Sequence, residues 1–130
     1  MRLLLDTHIA IWWLAGSARL GVRSRELIQE NDCAVSATSL IETRFLALAG
    51  RAQIPDMTVI IEHLEQDGIA LIPLAANHIA EGVRFENSHA GIYDRMLLGT
   101  AASENRSLLT RDAALLALAK KARLGFVVEG

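Results

Sequence analysis

The stretch Leu3-Leu4-Leu5-Asp6-Thr7-His8 decides the fold, because it joins a short apolar run to a carboxylate. Three leucines bounded by polar residues are too few for a helix and predict a strand that is buried on both faces, as in a parallel sheet. Ligands of open α/β sheets bind outside the carboxyl ends of the strands. We therefore expect Asp6 to lie where a functional site would form.

The rest of the chain alternates strands with helices. Further strands are predicted at 33–36, 69–74, 107–110 and 125–128. Helices are predicted at 7–15, 23–30, 38–50, 58–66, about 75–83, 92–103 and 112–121. The polar segment 84–91 predicts a loop or a frayed helix end. Without a hairpin signal, this alternation indicates right-handed crossovers and a parallel sheet covered on both faces.

Length and composition indicate one domain with its own core. We predict a single domain over residues 1–130. Hydrophobic residues make up 52% of the chain, and the mean hydropathy of +0.28 suggests a further buried interface with a second copy or a partner. Apolar side chains spread thinly over the surface would explain the same value. The net charge of -2 excludes a global positive field, so nucleic acid would have to be bound by local arginine clusters.

The sequence predicts a cytoplasmic protein without membrane contacts. Its apolar runs are too short to span a bilayer, and its first residues do not form a secretory signal. The single cysteine, Cys33, has no partner for an internal disulfide and is expected in the core.

Four carboxylates fall near predicted strand ends or helix starts. Asp6 follows the first strand, Glu42 lies in the first turn after the second, Asp94 lies early in the long helix, and Asp112 follows the fourth strand. Every helix of a parallel α/β fold begins at the edge where the strands end. We therefore expect these four acids to converge on one cleft.

Helix capping is the competing explanation for each acid taken singly. Acids are favoured at helix N-termini, and Ser39-x-x-Glu42 matches a capping box. Because Thr7, Ser39 and Thr110 already offer hydroxyl caps near three of the acids, we expect the carboxylates to be surplus to capping.

Convergent carboxylates must be neutralised. Two of them about 4 Å apart repel by about 4 kcal/mol at an effective dielectric near 20, whereas an acid at a helix N-terminus gains about 0.3–1 kcal/mol. A hard divalent cation would neutralise them, and oxygen ligands favour Mg²⁺ or Mn²⁺; shared protonation is the alternative. Such a metal pair suits attack of water on a phosphodiester, and the sequence contains no nucleophile elbow, P-loop or dinucleotide fingerprint.

Four ordered motifs resemble those of the PIN-domain ribonucleases, and within that family the VapC-type toxins of bacterial toxin-antitoxin pairs. The motifs are LLLDTH at 3–8, VSATSLIE at 35–42, YDRML at 93–97 and LTRD at 109–112. The resemblance implies a three-layer α/β/α PIN-like domain with a central parallel sheet of four to five strands. It also implies RNA cleavage dependent on Mg²⁺ or Mn²⁺, a homodimer, and a cognate antitoxin whose peptide occupies the active site.

The resemblance also implies roles for particular residues. The implied catalytic metal ligands are Asp6, Glu42, Asp94 and Asp112. The resemblance also implies Thr110 as a supporting or water-positioning hydroxyl. Thr7, His8 and Arg95 are further candidates to support the site or position substrate; His8 could instead be a local hydrogen-bonding residue, and Arg95 could pair with a core carboxylate. His89 is a further candidate for a phosphate contact at the cleft.

One motif departs from the family. Many relatives read His-x-Asp-Pro-Phe-Asp-Arg where this chain has HAGIYDR at 89–95, so Gly91 and Ile92 replace an acid and a proline. Because Asp94 keeps the second acid, we expect the metal site to survive.

The main hypothesis is therefore a metal-dependent endoribonuclease toxin. The alternative is a catalytically inactive PIN-fold module that acts through protein contacts. A receiver domain is disfavoured because Asp6 stands alone at its strand end, and a haloacid-dehalogenase-like phosphatase because His8 replaces the second acid of Asp-x-Asp.

Overall fold

The computed structural model describes residues 1–88 and 90–130. Its strands are β1 (Arg2–Leu5), β2 (Asp32–Ser36), β3 (Ala70–Ile72), β4 (Ser107–Thr110) and β5 (Val127–Glu129). Its α-helices are α1 (Thr7–Leu14), α2 (Val22–Glu30), α3 (Ala37–Leu48), α4 (Met57–Gln66), α5 (Ala76–Gly82), α6 (Ile92–Ser103) and α7 (Ala113–Ala122). Short 3-10 turns cover Ala18–Leu20 and Val83–Ser88.

All five strands form one parallel sheet in the order β3-β2-β1-β4-β5. The apolar run at the start of the chain therefore occupies the centre, with Leu4 opposite Ala34 on one side and Leu108 on the other. The chain proceeds outward from β1 in one direction through β2 and in the other through β4. This reversal makes the carboxyl ends of β1 and β4 the switch point at which such sheets bind ligands.

Two apolar layers sandwich the sheet, which confirms the predicted three-layer α/β/α fold. Leu3 and Leu5 pack on one face with α1, α2 and α4, while Leu4 packs on the opposite face with α6 and α7. The alternation follows from the two-residue period of a strand. All three leucines have no solvent exposure, and burying each side chain contributes about 1.5–3 kcal/mol.

The segment after α5 is more regular than a loop. Residues Val83–Ser88 form a 3-10 turn, and Phe85 is buried in the core beneath α6, where its ring meets that of Phe126 edge-on. The predicted third strand is shortened to Ala70–Ile72, because Pro73 has no amide hydrogen for the ladder.

Cys33 is buried, as expected, and burial raises the pKa of its thiol to about 11, which disfavours the reactive thiolate. Within residues 1–88 and 90–130, no helix has the length and apolar character that a bilayer-spanning helix requires.

Candidate active site

Asp6 lies at the centre of the carboxyl edge of the sheet and is held there by two hydrogen bonds. One carboxylate oxygen accepts from the Thr7 amide at 2.8 Å, so that Asp6 is the N-cap of α1. The other oxygen accepts from the Thr110 hydroxyl at 2.7 Å. Burial raises the pKa of Asp6, while these two hydrogen bonds act in the opposite direction. The side chain is fixed in one orientation at the end of β1.

Asp112 lies beside Asp6 and is tied to the same hydroxyl. The Asp112 amide donates to Thr110 Oγ1 at 3.0 Å, so this hydroxyl accepts from one candidate ligand and donates to the other. An Asp112 side-chain oxygen accepts from the Leu115 amide at 2.9 Å and caps α7. The two acids therefore flank the switch point between β1 and β4.

Glu42 approaches from the other side of Asp6 along α3. The Thr7 hydroxyl donates to the Ser39 hydroxyl at 2.9 Å, and both residues are buried. Glu42 follows Ser39 by three residues on the same helix and therefore lies on the same face. Its charge raises the pKa of Asp6, as expected for two neighbouring carboxylates.

Asp94 brings the four acids together. It lies in the first turn of α6 and is half-buried. Its pKa is raised to about 6, first by burial and then by the charges of Asp6, Asp112 and Glu42. The charges of the other three acids thus act on Asp94, and a shared metal site for the four stays a prediction.

The helix caps differ from those predicted. Ser36, rather than Ser39, is the N-cap of α3 and accepts from the Thr38 amide at 3.0 Å, so Ser39-x-x-Glu42 is not a capping box. Likewise the carboxylates of Asp6 and Asp112 cap their helices, and not the hydroxyls of Thr7 and Thr110. The prediction was wrong because those hydroxyls bond to the neighbouring acid or to Ser39 instead.

Capping leaves two of the acids without a structural task. Within the described part of the chain, the side chains of Glu42 and Asp94 accept no hydrogen bond. Ion pairs among the described residues involve other acids altogether. Among residues 1–88 and 90–130, no ion pair therefore compensates the charges of Glu42 and Asp94.

The donor chemistry of the cluster fits a hard divalent cation. All four candidates are carboxylates, which Mg²⁺ and Mn²⁺ prefer as ligands. No three histidine, cysteine or acidic side chains in residues 1–88 and 90–130 already lie close enough to share one ion. The residues that would hold such an ion are Asp6, Glu42, Asp94 and Asp112.

The other predicted residues lie around this cluster. Thr7 is fully buried, and His8 is exposed on α1 with its ring 5.8 Å from that of Trp12. Arg95 is half-buried on α6 and forms no ion pair within the described residues. His89, a further candidate, lies outside the described residues. The roles of these side chains in binding or catalysis stay predictions.

Sequence reasoning missed two features of the site. The hydrogen bond from Thr7 to Ser39 joins the starts of α1 and α3, but the pattern favoured Ser39 as a cap. Trp12 lines a cleft with Asp6 and Asp112. The spacing of His8 and Trp12 is the signal that identifies this face, since residues four apart on a helix are neighbours.

Gly91 and Ile92, which replace the acid and the proline of the family pattern, lie at the start of helix α6. Gly91 is its N-cap and makes no side-chain cap, and Ile92 is its first residue. Aspartate at an N-cap and proline at the next position both favour a helix start. The replaced acid and proline of the family pattern therefore fall at helix-starting positions, and their absence leaves Asp94 in place.

This chain is similar in sequence and in fold to several known proteins. Ribonuclease VapC22 of Mycobacterium tuberculosis is 34% identical in an alignment of 118 positions, and the match covers 86% of this chain and 88% of that protein.

Solved structures of similar fold include a toxin-antitoxin complex from Klebsiella pneumoniae, with a TM-score of 0.68, 18% identity, and coverage of 97% of this chain and 95% of that chain. DNA-bound VapBC from Salmonella typhimurium has a TM-score of 0.64 and 16% identity, and the match covers 100% of this chain and 97% of that one. FitAcB from Neisseria gonorrhoeae has a TM-score of 0.60 and 24% identity, over 91% of this chain and 93% of that one.

The PIN domain family matches residues 3–121, a range that includes all four acids. This chain therefore belongs to the PIN-domain family.

Proposed function

We propose that this protein is an endoribonuclease dependent on Mg²⁺ or Mn²⁺, and the toxin of a toxin-antitoxin pair. The observation that carries the proposal is the placement of the acids: the Thr110 hydroxyl ties Asp6 to Asp112 at the carboxyl edge of the sheet, and the charges of Glu42 and Asp94 act on the same site. Burial and the neighbouring carboxylates raise the pKa of Asp94 to about 6, and such crowding of acids destabilises a fold unless it serves a function. Family membership and a relative named as a ribonuclease supply the reaction class.

The acids would hold the metal, and the surrounding residues would orient them. Asp6, Glu42, Asp94 and Asp112 are the proposed ligands, and the bound ion would supply an activated water and charge stabilisation for in-line cleavage of a phosphodiester. Thr110 fixes Asp6 and Asp112 relative to each other, and Thr7 links the start of α1 to Ser39. Pre-set ligand orientation of this kind lowers the cost of assembling the site.

The proposed partners are an antitoxin and a second copy of this chain. Solved complexes with this fold pair a toxin with an antitoxin. On α3, the exposed side chains Ile41, Phe45 and Leu48 form an apolar stripe next to Tyr93 of α6. An exposed stripe of this size favours a protein contact, and we assign it to the homodimer. An RNA substrate also favours action in the cytoplasm.

The proposed reaction is tested by removing a single charge from the cluster. Asp6→Asn or Asp94→Asn should lower the rate of RNA cleavage by at least about 100-fold and abolish growth inhibition, because each removes a metal ligand. Cleavage of single-stranded RNA would be followed with Mg²⁺, with Mn²⁺ and with EDTA. EDTA should abolish activity in the wild-type protein.

The matched control is Asp56→Asn. Asp56 caps α4 away from the cluster, and asparagine is an equally good N-cap, so this variant should cleave RNA at the wild-type rate. Full activity in a folded Asp6→Asn or Asp94→Asn protein would refute the proposed mechanism. Wild-type protein that binds an antitoxin but does not cleave RNA would favour the inactive interaction module instead.

A further inference from the structure

Two adjacent tryptophans on α1 have different surroundings. The indole of Trp13 donates to a carboxylate oxygen of Asp67 at 2.8 Å, which ties α1 to the end of α4. Trp12 lies on another side of α1, half-buried, with its ring 5.8 Å from that of His8. Its indole N–H has no hydrogen-bond partner within the described residues. Both tryptophans pack against the core, but within the described residues only Trp13 has its indole N–H paired.

Trp12 lines a cleft that opens directly beside the candidate metal ligands. The cleft has a volume of about 240 Å³. At about 30 Å³ per water molecule this space holds several waters, so it is larger than a packing defect. Its lining consists of Asp6, His8, Ile9, Trp12, Arg111 and Asp112. An aromatic ring and a cationic side chain therefore line the same cleft as two of the acids.

Arg111 is anchored at the rim of this cleft. Its Nη1 donates to the Arg19 carbonyl oxygen, and the guanidinium lies against Gly21. A Cβ on Gly21 would come within 2.7 Å of Nη1, and the φ of +81° at this residue also favours glycine. The guanidinium has five N–H donors, and the described residues supply an acceptor only to Nη1. The remaining donors can bind an anion without reorganising the side chain.

We infer that this cleft binds an unpaired nucleotide of the RNA next to the scissile phosphate, with the base stacked on Trp12 and a phosphate bound by Arg111. The inference rests on the proposed function. Aromatic side chains and arginine are the usual contacts of single-stranded nucleic acid, because every base has a face for stacking and every linkage carries a charge. A paired strand buries its base faces against neighbouring bases. The contacts proposed for Trp12 and Arg111 therefore require that the bound nucleotide be unpaired.

Tryptophan fluorescence provides a direct test. The chain has two tryptophans, so Trp13→Phe leaves Trp12 as the only one. In this variant, titration with single-stranded RNA should quench the Trp12 emission, because a base stacks on its ring. To prevent cleavage, the titration is made in the Asp94→Asn background. Unchanged emission at saturating RNA overturns the inference.

Binding affinity provides a second, independent measurement. In the same Asp94→Asn background, Trp12→Ala should weaken binding of labelled single-stranded RNA by about 10-fold or more, and Trp12→Phe should retain most of the affinity. Trp13→Phe is the matched control and should bind RNA unchanged, although it loses the bond to Asp67 and is less stable. Equal affinity of the Trp12→Ala and parent proteins, or equal affinity for duplex and single strand, overturns the inference.

The salt dependence of RNA binding tests the proposed phosphate contact separately. Arg111→Gln should reduce the slope of log K against log salt concentration by about 0.7, the loss expected for one phosphate of a single strand. Arg51→Gln, beyond the far end of α3, should leave the slope unchanged. An unchanged slope in Arg111→Gln removes Arg111 from the proposed contact.

The outcomes for the reaction and for this cleft are distinguishable. If the acids prove dispensable for cleavage while Trp12 emission is quenched by RNA, the proposed reaction fails and the binding cleft stands. If cleavage requires the acids but emission and affinity do not respond at Trp12, only the cleft assignment fails.

Discussion

The hydroxyl of Thr110 orients two acids at once. It donates to Asp6 and accepts from the amide of Asp112, and it is fully buried at the end of β4. A hydroxyl can do both because it carries one donor and two acceptor lone pairs. The resemblance to the family pointed to this residue as a support for the site, whereas the capping argument favoured a different use of the same atom. Residue types on a strand end are visible in a sequence, but the direction of each hydrogen bond is not.

Replacing Thr110 by valine should therefore weaken the metal site. Thr110→Val keeps the shape of the side chain but removes the hydrogen bond to Asp6, and loss of such a supporting bond typically lowers metal affinity by about 10- to 100-fold. The measurement is the Mg²⁺ or Mn²⁺ concentration that gives half-maximal RNA cleavage. Thr110→Ser retains the hydroxyl and should behave much like the wild type. A wild-type metal requirement in Thr110→Val would contradict this assignment.

The burial of Asp94, together with the charges of the neighbouring acids, should also affect stability. Because the pKa of Asp94 rises from 3.8 to about 6 on folding, its ionisation disfavours the folded state, and this penalty grows as the pH rises through that interval. Asp94→Asn should therefore stabilise the metal-free protein at pH 7 by on the order of 1 kcal/mol, discounted because the group is only half-buried.

Thermal unfolding in EDTA measures this effect. The difference in free energy of unfolding between Asp94→Asn and the wild type should be large at pH 7 and vanish as the pH falls below about 4. Asp56→Asn serves as the control and should show no such trend. A difference in free energy of unfolding that does not change with pH would mean that the ionisation of Asp94 does not cause it.

Helices α5 and α6 cross with their backbones in contact. A Cβ on Gly99 would collide with the carbonyl oxygen of His78 and lie 2.7 Å from the amide nitrogen of Gly82. In turn, a Cβ on Gly82 would lie 2.8 Å from the carbonyl oxygen of Arg95, one residue after Asp94. These two glycines thus determine how closely the first turns of α6 approach α5, and with them the position of Asp94.

Gly99→Ala should force the two helices apart. Overpacking of this kind costs about 1–3 kcal/mol, more than alanine gains from its higher helix propensity. The melting temperature should fall, and RNA cleavage should fall with it as Asp94 shifts. Gly125→Ala is the matched control, because nothing lies within 4 Å of its Cβ position and its stability should be unchanged. An unaltered melting temperature in Gly99→Ala would show that the crossing adapts freely.

Most elements were predictable because their signals are local. Helix α6 and strand β4 begin and end at the predicted residues. The crossing at Gly82 and Gly99 was not predictable, since no periodic pattern reports a contact between two backbones. The start of α3 was predicted at Thr38 and lies at Ala37, because Ser36 supplies the cap. Helix ends that are determined by side-chain hydrogen bonds are the hardest to predict from composition and hydrophobic period alone.

At the scale of the whole molecule, part of the exposed apolar surface is concentrated on α3. Ile41, Phe45 and Leu48 are 53%, 52% and 71% exposed, and the ring of Phe45 lies 6.4 Å from that of Tyr93. The high hydropathy of the chain predicted a further interface, but it gave no position for it. The stripe lies on α3, which also carries Glu42, and the neighbouring Tyr93 lies on α6, which also carries Asp94.

A charge placed in this stripe should disrupt the proposed homodimer. Phe45→Glu should shift the protein from dimer to monomer in light scattering at micromolar concentration, because an interface centred on the stripe would bury the carboxylate. Val22→Glu alters an even more exposed apolar residue on α2 and should leave the dimer intact. A Phe45→Glu protein that remains dimeric would exclude the stripe as the interface.

The hydrogen bond from Thr110 to Asp6 joins residues separated by 104 positions. Strand β1 is made first, yet it is the central strand of the sheet, and one of its edges stays open until β4 pairs with it. Contacts of such long range form late, because the intervening chain must be ordered before they stabilise anything. During synthesis, the cluster therefore cannot assemble on a ribosome-bound fragment that lacks β4 and Asp112. A cell that makes this protein is thus shielded from the proposed activity until these residues have been translated and β4 has paired with β1.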